Sequence, residues 1–342
     1  MLRDGLASPL HPPVLRLTDA VGRVISYLRL SVTDRCNLRC FYCMCDEVKF
    51  LPKAEVLTLE EIERLSAVFI GLGISKLRLT GGEPLARPGV VDLIARLGRH
   101  LQSGALQELT LTTNGTLLSR YAQSLTDAGV KRVNVSLDTL SPSTFHAITG
   151  HDGLHQVLAG IDAARAAGLA VRINTVAMAG VNEDEFDRLL SWCGAQGCDM
   201  ALIELMPMGA ARHTRNNALL LDTVRQRLEQ HWHLTPLAQT GSGPAQYMLV
   251  AETGRRLGFI TPMSHGFCHS CNRVRLTCIG DLMLCLWHEG GVDLRRLLRQ
   301  GGADSENAVA IVAALRDKPR TQHFTQGDAL PLPSPKMWQM GG

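Results

Sequence analysis

Leu28-Arg29-Leu30-Ser31-Val32-Thr33-Asp34-Arg35-Cys36-Asn37-Leu38-Arg39-Cys40-Phe41-Tyr42-Cys43 joins an apolar run to three cysteines spaced C-x3-C-x2-C. Val24–Val32 reads as a strand, which places the cysteines on the loop at its C-terminal end, where α/β folds bind ligands. Five more strand-like segments follow, Ser75–Thr80, Glu108–Thr113, Arg132–Leu137, Ala170–Ala177 and Met200–Met206. They are rich in Val, Ile, Leu and Thr, as strands buried on both faces should be. Stretches of helical period separate them: Leu59–Leu72, Val90–Leu101, Ser119–Ala128, Leu154–Ala167, Asp184–Gln196 and Thr223–His231. Thr58 and Glu61 predict a capping box on the first helix.

Six alternations with short connections predict an α/β fold with a parallel sheet and helices outside it. Six units fall short of the eight of a closed barrel, so an incomplete (βα)6 TIM-type barrel is expected, with a flat doubly wound sheet as the alternative. The expected divisions are a loose extension over 1–15, the partial barrel over 16–235, and a C-terminal region over 236–342. That last region holds short strand-like pieces, a second cysteine cluster and the terminal Gly341-Gly342.

The chain has 342 residues, 45% hydrophobic and 20% charged, an ordinary globular composition. Its net charge of +3 and 5% aromatic content argue against nucleic acid as a partner. There is no secretory-type N-terminus and no run long enough to span a bilayer, so a soluble, cytoplasmic protein with no membrane partner is expected. In that compartment the ten cysteines should be thiols or metal ligands.

Cys36, Cys40 and Cys43 can hold three corners of a [4Fe-4S] cubane, leaving the fourth iron open to an outside ligand. That is the arrangement used by radical S-adenosylmethionine (SAM) enzymes, where the amino and carboxylate groups of SAM take the open iron. Structural zinc fits the spacing poorly; Cys45 is read as a non-ligand. Gly81-Gly82-Glu83-Pro84 ends the second strand, where glycines allow close backbone approach and Glu83 could accept from the SAM ammonium. Ser136 ends the fourth strand, placed for the SAM carboxylate or ribose. Cys268-x2-Cys271, then thirteen residues, then Cys285 forms a second trio, with Cys278 between them. A four-cysteine zinc site using Cys278 is the rival to a second cluster. Arg273 and Arg275 alternate on a strand, so both point the same way, as suits a phosphorylated ligand.

Together these motifs, with Leu111-Thr112-Thr113-Asn114-Gly115, Arg273-x-Arg275 and the C-terminal diglycine, resemble the GTP 3′,8-cyclase family (molybdenum cofactor biosynthesis protein A) of the radical SAM superfamily. The resemblance runs from about Gly22 to Arg299 and again at the terminal Gly-Gly. It implies a lyase that converts GTP to (8S)-3′,8-cyclo-7,8-dihydroguanosine 5′-triphosphate. An adenosyl radical would take hydrogen from C3′, and the C3′ radical would add to C8 of guanine. It further implies SAM contacts at Tyr42, Gly82, Ser136 and Met206. GTP contacts would be Arg29, Arg78, Thr112, Arg172, Arg273, Val274 and Arg275. A second [4Fe-4S] cluster on Cys268, Cys271 and Cys285 would bind guanine, and Gly341 and Gly342 would reach into the active site. An external electron donor, a homodimer and delivery of product to the cyclic pyranopterin monophosphate synthase are also implied. The chain departs from the family at Arg172, usually Lys, and at Ala201, often Arg, as well as at Ile279 and Cys45. The alternative is a radical SAM enzyme with an auxiliary cluster acting on another small molecule or a peptide.

Overall fold

The computed structural model describes residues 17–44, 48–207, 217–238, 243–288, 291–321 and 340. The expected extension over 1–15, Cys45, Gly341 and Gly342 lie outside them. The repeating units are β1 (Tyr27–Ser31), α1 (Leu59–Gly71), β2 (Lys76–Thr80), α2 (Val90–Gln102), β3 (Glu108–Thr113), α3 (Leu118–Asp127) and β4 (Arg132–Ser136). They continue through α4 (Pro142–Thr149), α5 (Leu154–Ala166), β5 (Ala170–Ala177), α6 (Phe186–Ala195), β6 (Asp199–Glu204) and α7 (Leu221–Leu228). Thr58 and Glu61 form the expected capping box on α1. Helix α4 was not expected, although its start carries a recognisable signal. Ser141 caps it by accepting from the Thr144 amide, and Pro142 occupies the first turn, where its missing N–H costs nothing.

Strands β1 to β6 lie side by side in chain order, all parallel. The C-terminal region extends both edges of this sheet. Beyond β7 (Leu234–Pro236) and β8 (Ala245–Val250), β9 (Arg255–Ile260) adds parallel to β6. β10 (Arg273–Leu276) adds parallel to β1, and β11 (Asp281–Met283) and β12 (Gly291–Asp293) continue antiparallel. Helices α8 (Leu294–Arg299) and α9 (Asp304–Ala314) follow. The order is β12-β11-β10-β1-β2-β3-β4-β5-β6-β9-β8-β7, so the barrel stays open. Among the described residues no helix is long and apolar enough to cross a membrane.

One expectation needs correction. The strands are not apolar on both faces. Leu28, Leu30, Leu77, Leu79, Leu111, Val133, Val135, Val171, Ile173, Met200 and Leu202 are buried in the main hydrophobic core. The residues between them, Arg29, Arg78, Thr112, Asn134, Arg172, Asn174 and Ala201, occupy the opposite pleat. All of these except Asn134 and Ala201 line a cavity of about 950 Å³. A single cavity touched by every strand from β1 to β6 requires the sheet to curve around it, which excludes the flat alternative. The sheet is therefore amphipathic, with its polar face turned inward.

Close packing of α5 holds this wall in place. A Cβ on Gly160 would stand 2.4 Å from the Gly115 carbonyl oxygen, at the turn that follows β3. Gly160→Ala is therefore expected to cost about 1–3 kcal/mol, the usual penalty of overpacking, measured by denaturant unfolding.

Candidate active site

The C-terminal ends of β1, β2, β4 and β6 carry the first group of site residues. Cys36, Cys40 and Cys43 are half-buried and line the cavity together with Tyr42, Gly82, Ser136 and Met206. The loop is tightly determined. The amides of Gly82 and Glu83 donate to the carbonyls of Thr33 and Arg35 at 2.8 Å each. A Cβ on Gly82 would sit 2.2 Å from the Arg35 oxygen and 2.9 Å from the Cys36 nitrogen. Tyr42 donates from its hydroxyl to Asp138 Oδ2 at 2.8 Å, while Asp138 Oδ1 accepts from the Val176 amide at 2.8 Å. Asp138 thus ties the cysteine loop to β5. Cys36 Sγ accepts from the Leu38 amide and from Asn114 Nδ2. Burial, then the neighbouring Cys36, pushes the Cys43 thiol up to about 12, and burial with Cys43 and Asp138 raises Cys40 well above its usual range. Crowded, buried thiols that resist ionisation are stabilised as thiolates by binding metal.

Glu83 does not line the cavity. Its Oε1 accepts from the Leu85 amide at 3.0 Å and from Thr113 Oγ1 at 2.8 Å, and its Oε2 from the Asn114 amide at 2.7 Å. It is 0% exposed, and burial lifts its carboxyl to about 7. Buried away from the cavity, it joins the turn after β2 to the turn after β3 through these three donors, and Gly81 and Gly82 are the residues of this segment that line the cavity.

The second trio lies at the other end of the cavity. Cys268 and Cys271 precede β10, which runs parallel to β1, so they sit beside the N-terminal end of β1. Cys285 follows β11, whose Met283 pairs with Arg275, and the antiparallel run brings Cys285 back to the same end. All three are half-buried and line the cavity. Cys278 follows β10 instead. The strand separates it from Cys271 by on the order of 15 Å. It is buried beside Ser31, Asp34 and Arg87, its thiol pushed up to about 12 chiefly by burial. A four-cysteine site that includes Cys278 is therefore excluded by topology. Among the described residues no three His, Cys, Asp or Glu side chains stand close enough to share one ion.

Between the trios the cavity wall is cationic. Pairing sets Arg275, Arg29 and Arg78 abreast on three adjacent strands, about 4.8 Å apart from strand to strand. Burial and then crowding by Arg275 pull Arg29 down to about 9. Burial, with Arg29 and Arg172 nearby, does the same to Arg78, and burial with Arg273 brings Arg275 to about 10. Guanidiniums remain charged at neutral pH all the same. The Nε of Arg78 and Arg172, Nε and Nη2 of Arg273, and the hydroxyl of Thr112 are buried without a hydrogen-bond partner among the described residues. Buried polar groups are rarely left so. The set fits a ligand rich in anionic oxygens, such as a polyphosphate.

The chain matches the family model of the Radical SAM superfamily over residues 30–193, and that of Molybdenum Cofactor Synthesis C over residues 198–324. It is 53% identical to a curated GTP 3′,8-cyclase of Caulobacter vibrioides, over 95% of this chain and 94% of that one. A GTP 3′,8-cyclase of Bradyrhizobium diazoefficiens is 56% identical over 90% of each chain. The chain belongs to the GTP 3′,8-cyclase family. Among solved structures, Streptococcus suis SuiB bound to precursor peptide SuiA shares the fold, with a TM-score of 0.64 at 14% identity, covering 89% of this chain and 68% of that one. As a radical SAM protein, this cyclase-family member uses SAM and an iron–sulfur cluster.

The structure gathers Arg29, Arg78, Thr112, Arg172, Arg273 and Arg275 around one cavity in this cyclase-family chain. The Val274 side chain points into the core, so its backbone is what it can offer a ligand. Ala201 is fully buried on β6 and presents no cation. The tail's Gly341 and Gly342 lie outside the described residues, but Met340 before them is fully buried against Met283, with Met206, Leu286 and Trp287 packed around them. Sequence reasoning missed Asn134. With its amide oxygen turned toward them, it accepts from Arg78 Nη1 at 2.6 Å and Arg172 Nη2 at 3.0 Å. It missed Tyr247 as well, whose hydroxyl accepts from Arg172 Nη1. The alternation Val133-Asn134-Val135 was the signal for the first; Tyr247, brought in by β8, gave none.

Gly82→Ala should displace the Cys36 loop and reduce iron bound at the first trio by more than half, read as iron per chain and absorbance after anaerobic reconstitution. Glu83→Gln should destabilise the protein by about 1–3 kcal/mol by turning a donor toward donors, measured by thermal or denaturant unfolding.

Proposed function

We propose that this chain converts GTP to (8S)-3′,8-cyclo-7,8-dihydroguanosine 5′-triphosphate, a step in molybdenum cofactor biosynthesis. The observation that carries the reading is the row of crowded arginines, Arg78 buried and Arg29 and Arg275 half-buried, between two cysteine trios on one cavity. In this reading Cys36, Cys40 and Cys43 hold the [4Fe-4S] cluster that SAM joins, with Tyr42, Gly82, Ser136 and Met206 against SAM. Cys268, Cys271 and Cys285 hold a second [4Fe-4S] cluster, which binds the guanine. When bound, the first cluster and SAM supply a hydrogen-abstracting radical.

The protein's own work is placement. Arg29, Arg78, Arg172, Arg273 and Arg275 grip the triphosphate, Thr112 offers a hydroxyl, and the Val274 backbone stands beside them. Gripping both ends of GTP fixes the ribose between base and SAM, which turns ring closure into a question of orientation. The leucine- and valine-rich outer face keeps water from the back of the wall, so each guanidinium acts at reduced dielectric. Asn134 and Asp138 hold Arg78, Arg172 and Tyr42 in place and reduce the motion that would misalign the substrate. In this reading Gly341 and Gly342 act at the active site.

The same reading divides the chain into a barrel over 16–235 and a substrate and second-cluster region over 236–342. It includes an external electron donor, passage of product to the cyclic pyranopterin monophosphate synthase, a homodimer, and a cytoplasmic location.

Anaerobic reconstitution is expected to give about eight irons per chain, and about four in Cys36→Ala or Cys268→Ala. Reduced protein given SAM and GTP should yield 5′-deoxyadenosine and the cyclised nucleotide. Deoxyadenosine formation indifferent to GTP would contradict the proposal. Arg78→Ala should raise KM for GTP about ten- to a hundredfold, the cost of one charged hydrogen-bonding contact.

A further inference from the structure

Lys318 follows the short helical turn Leu315–Asp317 at the end of α9 and is 5% exposed. A buried ammonium needs compensating negative charge. Its Nζ donates to two backbone carbonyls, that of Arg273 at 2.9 Å and that of Leu284. Both carbonyls flank the second trio: Leu284 immediately precedes Cys285, and Arg273 is two residues beyond Cys271. Burial pulls the Lys318 ammonium below its ordinary range, and the groups that oppose the pull are first Cys271 and Cys285, then Asp19, which is already paired with Arg23.

Arg23 adds a second clasp to the same loops. Its Nη1 donates to the Cys268 carbonyl and its Nη2 to the Pro319 carbonyl, both at 2.7 Å. The salt bridge to Asp19 offsets its charge, whereas Lys318 forms no ion pair with a carboxylate among the described residues. At the first trio the cation is on the outside: exposed Arg39 donates from Nη1 to the carbonyls of Cys36 and Leu38 at 2.7 and 2.9 Å, while the buried groups are acids, Asp138 accepting from Tyr42 and Glu83 from the amide of Asn114, whose Nδ2 donates to Cys36 Sγ.

We propose that Lys318 is the fixed counter-charge of the cluster on Cys268, Cys271 and Cys285, tying two of its loops together and holding its reduction potential above that of the cluster on Cys36, Cys40 and Cys43. The inference rests on the second-cluster reading given above. Net charge and hydrogen bonding around the sulfurs set a cluster's potential, and an adjacent cation favours the more negative, reduced state. An electron supplied from outside therefore settles on the C-terminal cluster first.

The test is a dithionite titration of the reconstituted full-length protein followed by electron paramagnetic resonance. SAM, which joins the N-terminal cluster, identifies that cluster's signal by perturbing it. In wild type the signal insensitive to SAM should appear at the higher potential. Lys318→Met, which keeps the length and removes the charge, should shift that signal alone to lower potential, and Lys318→Arg should leave it nearly in place. Should Lys318→Met lose the cluster while Lys318→Arg retains it, the counter-charge role stands. An unshifted potential in Lys318→Met, equal shifts of both signals, or loss of the cluster in both variants overturns it. About four irons per wild-type chain would instead remove the second cluster itself, a failure separable from that of Lys318.

Discussion

Positive charge crowded along the inner wall of a barrel is the constraint around which this molecule is organised. Arg275, Arg29 and Arg78 stand abreast on neighbouring strands, with Arg172 and Arg273 on the same wall. Like charges side by side on a sheet repel and destabilise it, and burial adds a desolvation cost to each. Glu108 neutralises Lys76 and Arg132 at 2.6 Å at the strand starts, but the inner row has Asn134 as a neutral bridge. The sheet holds this row because its other face is continuous with the hydrophobic core beneath the helices. The fold thus supplies the stability, and the inward pleat is left free for an anionic substrate.

The placement of the two cysteine trios follows from strand direction alone. Loops after parallel strands open at one end of a barrel, and this sets Cys36, Cys40, Cys43, Gly82 and Ser136 together. Reaching the opposite end requires residues that precede a parallel strand. The chain achieves this by adding β10 to the free edge of β1 late in the sequence. Cys278, on the far side of β10, is excluded by the same logic. Fixed groups then stiffen each end: Glu83 and Asp138 around the first trio, Arg23 and Lys318 around the second.

Much of this was legible in the residues. The C-x3-C-x2-C loop after a Val24–Val32 strand, the six βα alternations and the Thr58–Glu61 capping box all have local causes, and the structure carries each of them. The arginines could be assigned by resemblance, and the period of two in Leu28-Arg29-Leu30 and Leu77-Arg78-Leu79 would have indicated the inward polar face. What could not be read was long-range. Glu83 is a ready acceptor in sequence, yet the turn after β3 saturates it. Tyr247 and Lys318 reach the site only because β8 and the end of α9 pack where nothing local predicts them.

The central claim is that the two trios occupy opposite ends of one arginine-lined cavity. Anomalous diffraction at the iron edge, from crystals of the reconstituted protein grown without air, tests it most directly. The account predicts two compact iron peaks, one at Cys36, Cys40 and Cys43 and the other at Cys268, Cys271 and Cys285, separated along the length of β1. Iron at the first site alone, with a lone zinc ion at the second, would contradict it.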